Sequence, residues 1–291
     1  TNPSAFSWWR NRLTQFFSAW GIRGVKLDRG EEFVPSSVSD IWHNGESGRI
    51  IHNDFPVLQS QVVHDALETA HGRNFAILAR AAYSGAHSLA GHWGGDTPGQ
   101  SDAGLRMAII QLQHAAFMGY PTWGSDTGGY SGFGDRERFA RWLQFSALCP
   151  IMEIGGQGSH APWDMPTEPR FDEALIEIYR KYVSLHHSLQ SYTAKLADEA
   201  SAQGTPIARP MIVEYPGDGR FLDLWTQYMY GPDLLVAPIW QSGAREKNVV
   251  LPEGDWEWFW DRNRVFSGPA EIIVEAPLDT LPLFVRSGGT I

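Results

Sequence analysis

Charged side chains stand directly or shortly after short apolar runs at four places in the first half of this 291-residue sequence. The four are Asp28, Arg80, Asp96 and Asp126. Short apolar runs that alternate with helical patterns are typical of the parallel strands of a (β/α) barrel. The carboxyl ends of such strands deliver side chains from distant parts of a chain into one pocket. We therefore expect these four side chains to line one pocket.

Two of the carboxylates, Asp28 and Asp96, suggest glycoside hydrolysis, which uses a pair of carboxyl groups. One must be ionised to attack or stabilise an oxocarbenium-like carbon, while the other must keep its proton for the leaving oxygen. A cationic neighbour favours the ionised form and a dry, apolar surround favours the protonated form. Retention of configuration requires the carboxyl groups to be about 5–5.5 Å apart.

The sequence also contains residues that could create these two environments. Lys26, Arg29 and Arg80 can supply a cation beside Asp28, and Trp93 with the Gly94-Gly95 backbone can supply a dry surround for Asp96. His160 follows the last predicted barrel strand in a glycine-rich loop, where the backbone can approach a ligand.

Each of these residues also has a purely structural interpretation. A single aspartate at a strand end is commonly a helix cap or a turn residue. Asp126 could form an Asx turn, or its carboxylate could accept two sugar hydroxyls. Arg80 could form a buried ion pair, or its planar guanidinium could bind hydroxyls or orient a catalytic carboxylate. Several such residues at successive strand ends favour the functional interpretation.

Composition excludes several other classes of function. The net charge of −10 argues against nucleic-acid binding, which requires a basic surface. Cys149 is the only cysteine, and the histidines show no helical ligand spacing, so we expect no metal and no other cofactor. No run of about 18 apolar residues predicts a membrane span. The motifs of esterases, kinases and dehydrogenases are absent from the sequence.

The helices and strands that position the candidate residues can be predicted from the spacing of apolar residues and from the capping, glycine and proline residues that end each element. The sequence predicts helices over 3–20, 56–71, 99–118, 135–148 and 171–200. It predicts parallel strands near 24–28, 75–80, 92–95, 120–124 and 150–154, and short antiparallel strands at 234–239, 248–251, 255–260, 272–275 and 281–285. Turns are expected at 252–254 and 267–269, where proline and glycine cluster.

These elements predict an α/β fold in two domains. Residues 1–231 form part of a (β/α)8 TIM barrel with about five of its eight strands, and residues 232–291 form a small antiparallel β-sandwich. The first residues read as the start of a helix rather than a signal peptide, so we expect the chain to begin within a fold, in a cytoplasmic or a secreted protein. The open edge at 24–28 would then be covered by the missing front of the barrel or by a second copy.

The motifs around the candidate residues resemble those of glycoside hydrolase family 31, the retaining α-glucosidases, α-xylosidases and their relatives. Residues 25–31, Val-Lys-Leu-Asp-Arg-Gly-Glu, resemble the K-x-D-x-G-E nucleophile strand of that family. Arg80 and the following His-Trp-Gly-Gly-Asp at 92–96 resemble its arginine and W-x-G-D segment. The resemblance continues through four later stretches, at 124–130, 209–216, 231–238 and 276–286.

The resemblance implies roles for individual residues. Asp28 would be the nucleophile and Asp96 the acid/base, while Asp126 would bind substrate hydroxyls. Lys26, Arg80, Trp93 and His160 would hold the glycone. Glu153 and Gly155 stand where the family carries R-x-H, and His160 would replace that histidine through a longer loop.

The resemblance therefore implies a retaining α-glycoside hydrolase that cleaves terminal α-linked sugars of an oligosaccharide or glycoside. The glycone could be glucose, xylose, galactose or sulfoquinovose, because residues 80–85 and 128–130 also resemble the sulfoquinovosidase branch. Two alternatives remain at this point. One is a catalytically silent carbohydrate-binding or assembly fragment, and the other is a transglycosylase or lyase on the same scaffold.

Overall fold

The computed structural model describes residues 1–32, 41–132, 135–156 and 172–291. Eight α-helices occupy these residues: α1 (Pro3–Trp20), α2 (Gly48–Ile51), α3 (Asp54–His71), α4 (Asp102–Phe117), α5 (Arg136–Ser146), α6 (Glu173–Ser188), α7 (Gln190–Gln203) and α8 (Met211–Glu214). The predicted site residue His160 lies outside the described residues.

Eleven strands accompany the helices in the described residues. They are β1 (Gly24–Leu27), β2 (Ala76–Ala79), β3 (Gly91–Trp93), β4 (Trp123–Asp126), β5 (Ile151–Glu153), β6 (Ala208–Pro210), β7 (Tyr228–Tyr230), β8 (Leu234–Val236), β9 (Glu246–Trp258), β10 (Asp261–Glu275) and β11 (Leu283–Arg286).

The first five strands run parallel in the order β1-β2-β3-β4-β5 and confirm the predicted partial TIM barrel. The chain divides into two compact units, Thr1–Trp93 and Gly94–Ile291. In the first unit β2 pairs with β1 and β3, and in the second β4 pairs with β5. Each of these five strands is only three or four residues long.

The first unit is held together by α1 and α3 packing over the sheet. Asn2 accepts hydrogen bonds from the amides of Ser4 and Ala5, Pro3 begins α1, and Gly21 ends it in a left-handed conformation with φ 63°. This agrees with the predicted cap, proline and stop. The apolar side chains of the two helices and of β2 form one buried cluster, centred on Phe17, Val62, Val63, Ala66, Leu67 and Ile77.

The second unit contains a six-stranded antiparallel sheet in the order β10-β9-β11-β8-β7-β6, consistent with the predicted β-sandwich. Two of its strands, β6 and β7, were not predicted and precede the predicted boundary at 231. Its core is apolar and includes Met229, Leu235, Val249, Trp256 and Phe284.

Two predicted features of the elements were wrong. The expected turns at 252–254 and 267–269 lie inside the long strands β9 and β10, where Gly254 pairs with Gly268 beside a register shift. The helix expected over 171–200 is two helices, α6 and α7, separated at Leu189. The apolar spacing continues across that break because Leu185, Leu189 and Tyr192 are all buried, so periodicity does not reveal it.

Candidate active site

Asp28 and Arg80 come together because β1 and β2 are parallel and in register. Leu27 pairs with Ala79, so the next residue of each strand lies at the same edge of the sheet, and the amide of Arg80 donates to the carbonyl of Leu27 at 3.0 Å. Nη1 of Arg80 lies 2.9 Å from Oδ1 of Asp28. This is the distance of a charge-assisted hydrogen bond.

The Arg80 guanidinium contacts two further carboxylates. Its Nη2 lies 2.6 Å from Glu31 and 3.5 Å from Glu32, and its side chain is only 12% exposed. The fork of the guanidinium therefore connects Asp28 to Glu31 and holds both through one buried cation. Glu31 was not among the predicted site residues, although the Gly-Glu pair after the predicted nucleophile was a visible signal.

The turn after β1 brings Glu31 back towards Arg80. Arg29 has a φ of 68°, which makes it the one non-glycine residue with positive φ in the described part of the chain. Its amide donates to Oδ1 of Asp28 at 2.9 Å, and its guanidinium bonds Glu32 at 2.8 Å. Of the cations expected beside Asp28, Arg80 makes the ion pair, whereas the side chain of Arg29 faces Glu32.

Lys26 contacts an aromatic ring. Its ammonium lies 4.1 Å from the ring centroid of Trp93 on β3, the geometry of a cation–π interaction. Trp93 is buried, with 4% of its surface exposed. The structure therefore brings together the two predicted binding residues Lys26 and Trp93.

His92 precedes Trp93 on β3 and is also buried, at 3% exposure. Burial, with a smaller contribution from His87, lowers the pKa of His92 to about 4. The ring is therefore neutral at neutral pH, and it adds no positive charge to β3.

Asp96 belongs to the loop that follows β3, in the second unit. The loop is fixed because the amide of Tyr130 donates to the carbonyl of Thr97 at 2.7 Å and the amide of Gly99 donates to the carbonyl of Ser131 at 3.0 Å. Asp96 itself is exposed in the part of the chain that the structure describes, so the prediction that apolar groups shield it from water was wrong. Its exposure leaves it accessible to water.

Asp126 ends β4 and is buried, at 1% exposure. Its neighbours on both sides are anchored to α5: the indole of Trp142 donates to Ser125 at 3.0 Å, and Thr127 donates to Ser146 at 2.9 Å. The amide of Thr127 also donates to the carbonyl of Glu153 on β5 at 2.9 Å. Three contacts therefore fix the backbone that carries the Asp126 carboxylate.

Residues 1–32, 41–132, 135–156 and 172–291 contain no group of three or more histidine, cysteine, aspartate or glutamate side chains arranged to hold a metal ion. None of their helices has the length and apolar character needed to span a bilayer.

Comparison with known protein families gives two matches that together cover nearly the whole chain. The glycosyl hydrolases family 31 TIM-barrel domain matches residues 1–196, and the glycosyl hydrolase family 31 C-terminal domain matches residues 204–291.

Individual relatives are similar over most of this chain. An α-xylosidase of Saccharolobus solfataricus is 34% identical over 248 residues, which cover 82% of this chain and 33% of the relative. An isomaltosyltransferase of Sporosarcina globispora is 29% identical over 302 residues, which cover 100% of this chain and 27% of the relative.

A solved structure is similar in fold as well as in sequence. A variant of the family 31 dextranase of Flavobacterium johnsoniae, complexed with isomaltotriose, superposes with a TM-score of 0.88 at 30% identity. The match covers 99% of this chain and 37% of the dextranase. The chain thus spans between 27% and 37% of the length of these three relatives.

Proposed function

Because the chain belongs to glycoside hydrolase family 31, we propose that it carries the catalytic residues of a retaining α-glycosidase. The substrate would be an oligosaccharide or glycoside with a terminal α-linked sugar. The reaction would proceed by double displacement through a covalent glycosyl-enzyme intermediate.

Asp28 is the proposed nucleophile, and its 2.9 Å ion pair with Arg80 is the observation that carries this assignment. A nucleophilic carboxylate must be held in place beside the reacting carbon, and the adjacent guanidinium holds Asp28 through a charge-assisted hydrogen bond. One carboxylate oxygen attacks the anomeric carbon as the bond from that carbon to the leaving oxygen breaks. The Arg80 contact also restricts the orientation of the attacking group.

Asp96 is the proposed acid/base. It donates its proton to the leaving oxygen in the first step, and in the second it takes a proton from the water that displaces Asp28. The exposed position of Asp96 is compatible with both steps, because the leaving group must depart and water must enter beside it. Two inversions at the anomeric carbon give net retention.

Asp126, Lys26, Arg80, Trp93 and His160 are the proposed glycone-binding residues. The buried carboxylate of Asp126 can accept hydroxyl groups of the sugar. The Trp93 ring offers an apolar face, and the ammonium of Lys26 beside it can donate N–H hydrogen bonds to sugar hydroxyl oxygens.

Transglycosylation is a second candidate activity, favoured by the similarity of the entire chain to an isomaltosyltransferase. It would use the same nucleophile and differ only in that a sugar hydroxyl, rather than water, intercepts the intermediate. We further propose that the free edge of β1, which among the described strands pairs with β2 alone, is covered by other barrel strands of a longer protein or by a second copy.

Hydrolysis of p-nitrophenyl α-D-glucoside and α-D-xyloside, with product analysis by NMR, tests the proposal. Asp28→Ala should abolish turnover, and azide should restore reaction with formation of the β-glycosyl azide, the inverted product. Asp96→Ala with azide should instead give the α-glycosyl azide. Turnover by Asp28→Ala at the rate of the unmodified chain would remove Asp28 from the mechanism.

A further inference from the structure

Gly155 lies against the carboxylate of Asp126, and its lack of a side chain is required by that contact. A Cβ atom at Gly155 would lie 2.4 Å from Oδ1 of Asp126 and 3.3 Å from its Cγ. Real Cβ atoms do not approach another heavy atom to 2.4 Å, so any other residue at position 155 would displace one of the two partners.

A Cβ atom at position 155 would press directly on the Asp126 carboxylate. The backbone of β4 is fixed by the anchors of Ser125 and Thr127 on α5 and by the bond from the Thr127 amide to Glu153. Asp126 is a short side chain that is 1% exposed, so its carboxylate has few alternative orientations in its packed surround.

The backbone around this carboxylate is closely packed as well. A Cβ atom at Gly124 would lie 2.3 Å from the carbonyl oxygen of Ile151, and one at Gly128 would lie 2.7 Å from the ring of Phe139. β4 therefore lies close to β5 at Gly124, and the turn after β4 lies close to α5 at Gly128, so the backbone on both sides of Asp126 has little room to shift.

We propose that Gly155 is a positioning residue, which sets the orientation of the Asp126 carboxylate by leaving the space that this carboxylate occupies. The inference rests on the proposed function only for its consequence, which is that the carboxylate is held ready to accept two glycone hydroxyls. The contact itself exists whether or not the chain is active.

A double-mutant cycle on the full chain tests the contact independently of activity. Gly155→Ala should lower the midpoint of thermal unfolding by at least about 2 °C, as expected for overpacking in a protein of this size. Gly155→Ala in an Asp126→Ala background should lower the midpoint by clearly less, because the clashing oxygen is gone. Gly217→Ala is the matched control, since a Cβ atom there meets nothing within 4 Å.

A spectroscopic measurement separates positioning from a general loss of stability. In chains labelled with [4-¹³C]aspartate, the Asp126 carboxyl resonance is identified by its absence in Asp126→Asn. Gly155→Ala should shift this resonance, and Gly217→Ala should leave it in place. An unshifted resonance in Gly155→Ala, or equal losses of stability in the two Asp126 backgrounds, would overturn the proposal.

Enzyme kinetics test whether the orientation of the Asp126 carboxylate matters for turnover. If the unmodified chain hydrolyses the aryl α-glycosides, Gly155→Ala should lower kcat/KM at least tenfold in the Asp126 background and less than twofold in the Asp126→Ala background, where the clashing oxygen is gone. A chain without turnover would contradict the proposed function, whereas the unfolding cycle and the carboxyl resonance would still decide the role of Gly155.

Discussion

The ion pair between Arg80 and Asp28 leads to a quantitative prediction for the variant Arg80→Met. Methionine keeps an unbranched apolar stem and removes the charge and all donors. Hydrogen bonds to charged groups contribute about 1.5–3 kcal/mol. The Asp28 side chain is 59% exposed, and contact with water weakens the pair, so the lower end of that range, about 1.5 kcal/mol, is appropriate. About 1.4 kcal/mol corresponds to a factor of ten, so kcat/KM should fall about tenfold.

Arg29→Met is the matched control for this experiment. It removes the same charge from the residue next to Asp28, but the Arg29 side chain is 71% exposed and bonds Glu32 rather than Asp28. Its effect on kcat/KM should be less than twofold. Initial rates on an aryl α-glycoside, measured over a range of substrate concentrations, give both values. Equal losses in the two variants would show that net charge, rather than the Arg80 contact, supports the reaction.

Two further predictions concern stability, each measured by urea unfolding. Arg141→Met should lower the free energy of unfolding by about 4 kcal/mol, because the buried Arg141 guanidinium donates to four backbone carbonyls and to Gln144. Arg180→Met is the control: that side chain is 69% exposed, and its loss should change the free energy of unfolding by less than about 0.5 kcal/mol. Burial lowers the pKa of His92 from 6.5 to about 4, so between these values the unfolded chain binds more protons than the folded chain. The free energy of unfolding should therefore fall as the pH is lowered from 6.5 to 4, by about 3 kcal/mol in total. His92→Gln should remove that component, and His114→Gln, at an exposed histidine, should retain it.

The barrel half was predictable because local signals and tertiary packing agree there. Asn2, Pro3 and Gly21 bound α1 as their intrinsic preferences require, and Asp135 caps α5 by accepting from the amide of Arg138. The ends of β1 and β2 were predictable because a charged residue, Asp28 or Arg80, directly follows each apolar run. The strand predicted at 120–124 is instead β4 at Trp123–Asp126, which ends in Gly-Ser-Asp rather than in apolar residues.

The antiparallel sheet was less predictable because glycine occurs both in turns and, within strands, where two backbones approach closely. Gly254 and Gly268 were predicted to be turn residues, but they face each other within one hairpin. A Cβ atom at Gly268 would lie 1.8 Å from the carbonyl oxygen of Pro252, so glycine is needed there for close backbone approach. Sequence alone does not distinguish that requirement from a turn.

The candidate site was also only partly predictable from the sequence. The residue types that could carry out the chemistry are visible in sequence, because a carboxylate or guanidinium after an apolar run is conspicuous. The groups that orient them are not, since Glu31 reaches Arg80 through a left-handed turn, and Trp142 reaches Ser125 from a helix.

These supporting groups should therefore respond to mutation differently from the reacting ones. A change at Asp28 removes the proposed reacting carboxylate, and no relaxation of the structure can replace it. A change at Glu31 or Trp142 leaves the Asp28 and Asp126 carboxylates present but alters their orientation, to an extent set by how far the neighbouring residues can adjust. Trp142 is 1% exposed and has little room to adjust, whereas the Glu31 side chain is 46% exposed and water can substitute for its carboxylate. Loss of the Trp142 indole should consequently perturb Asp126 more than loss of the Glu31 carboxylate perturbs Asp28.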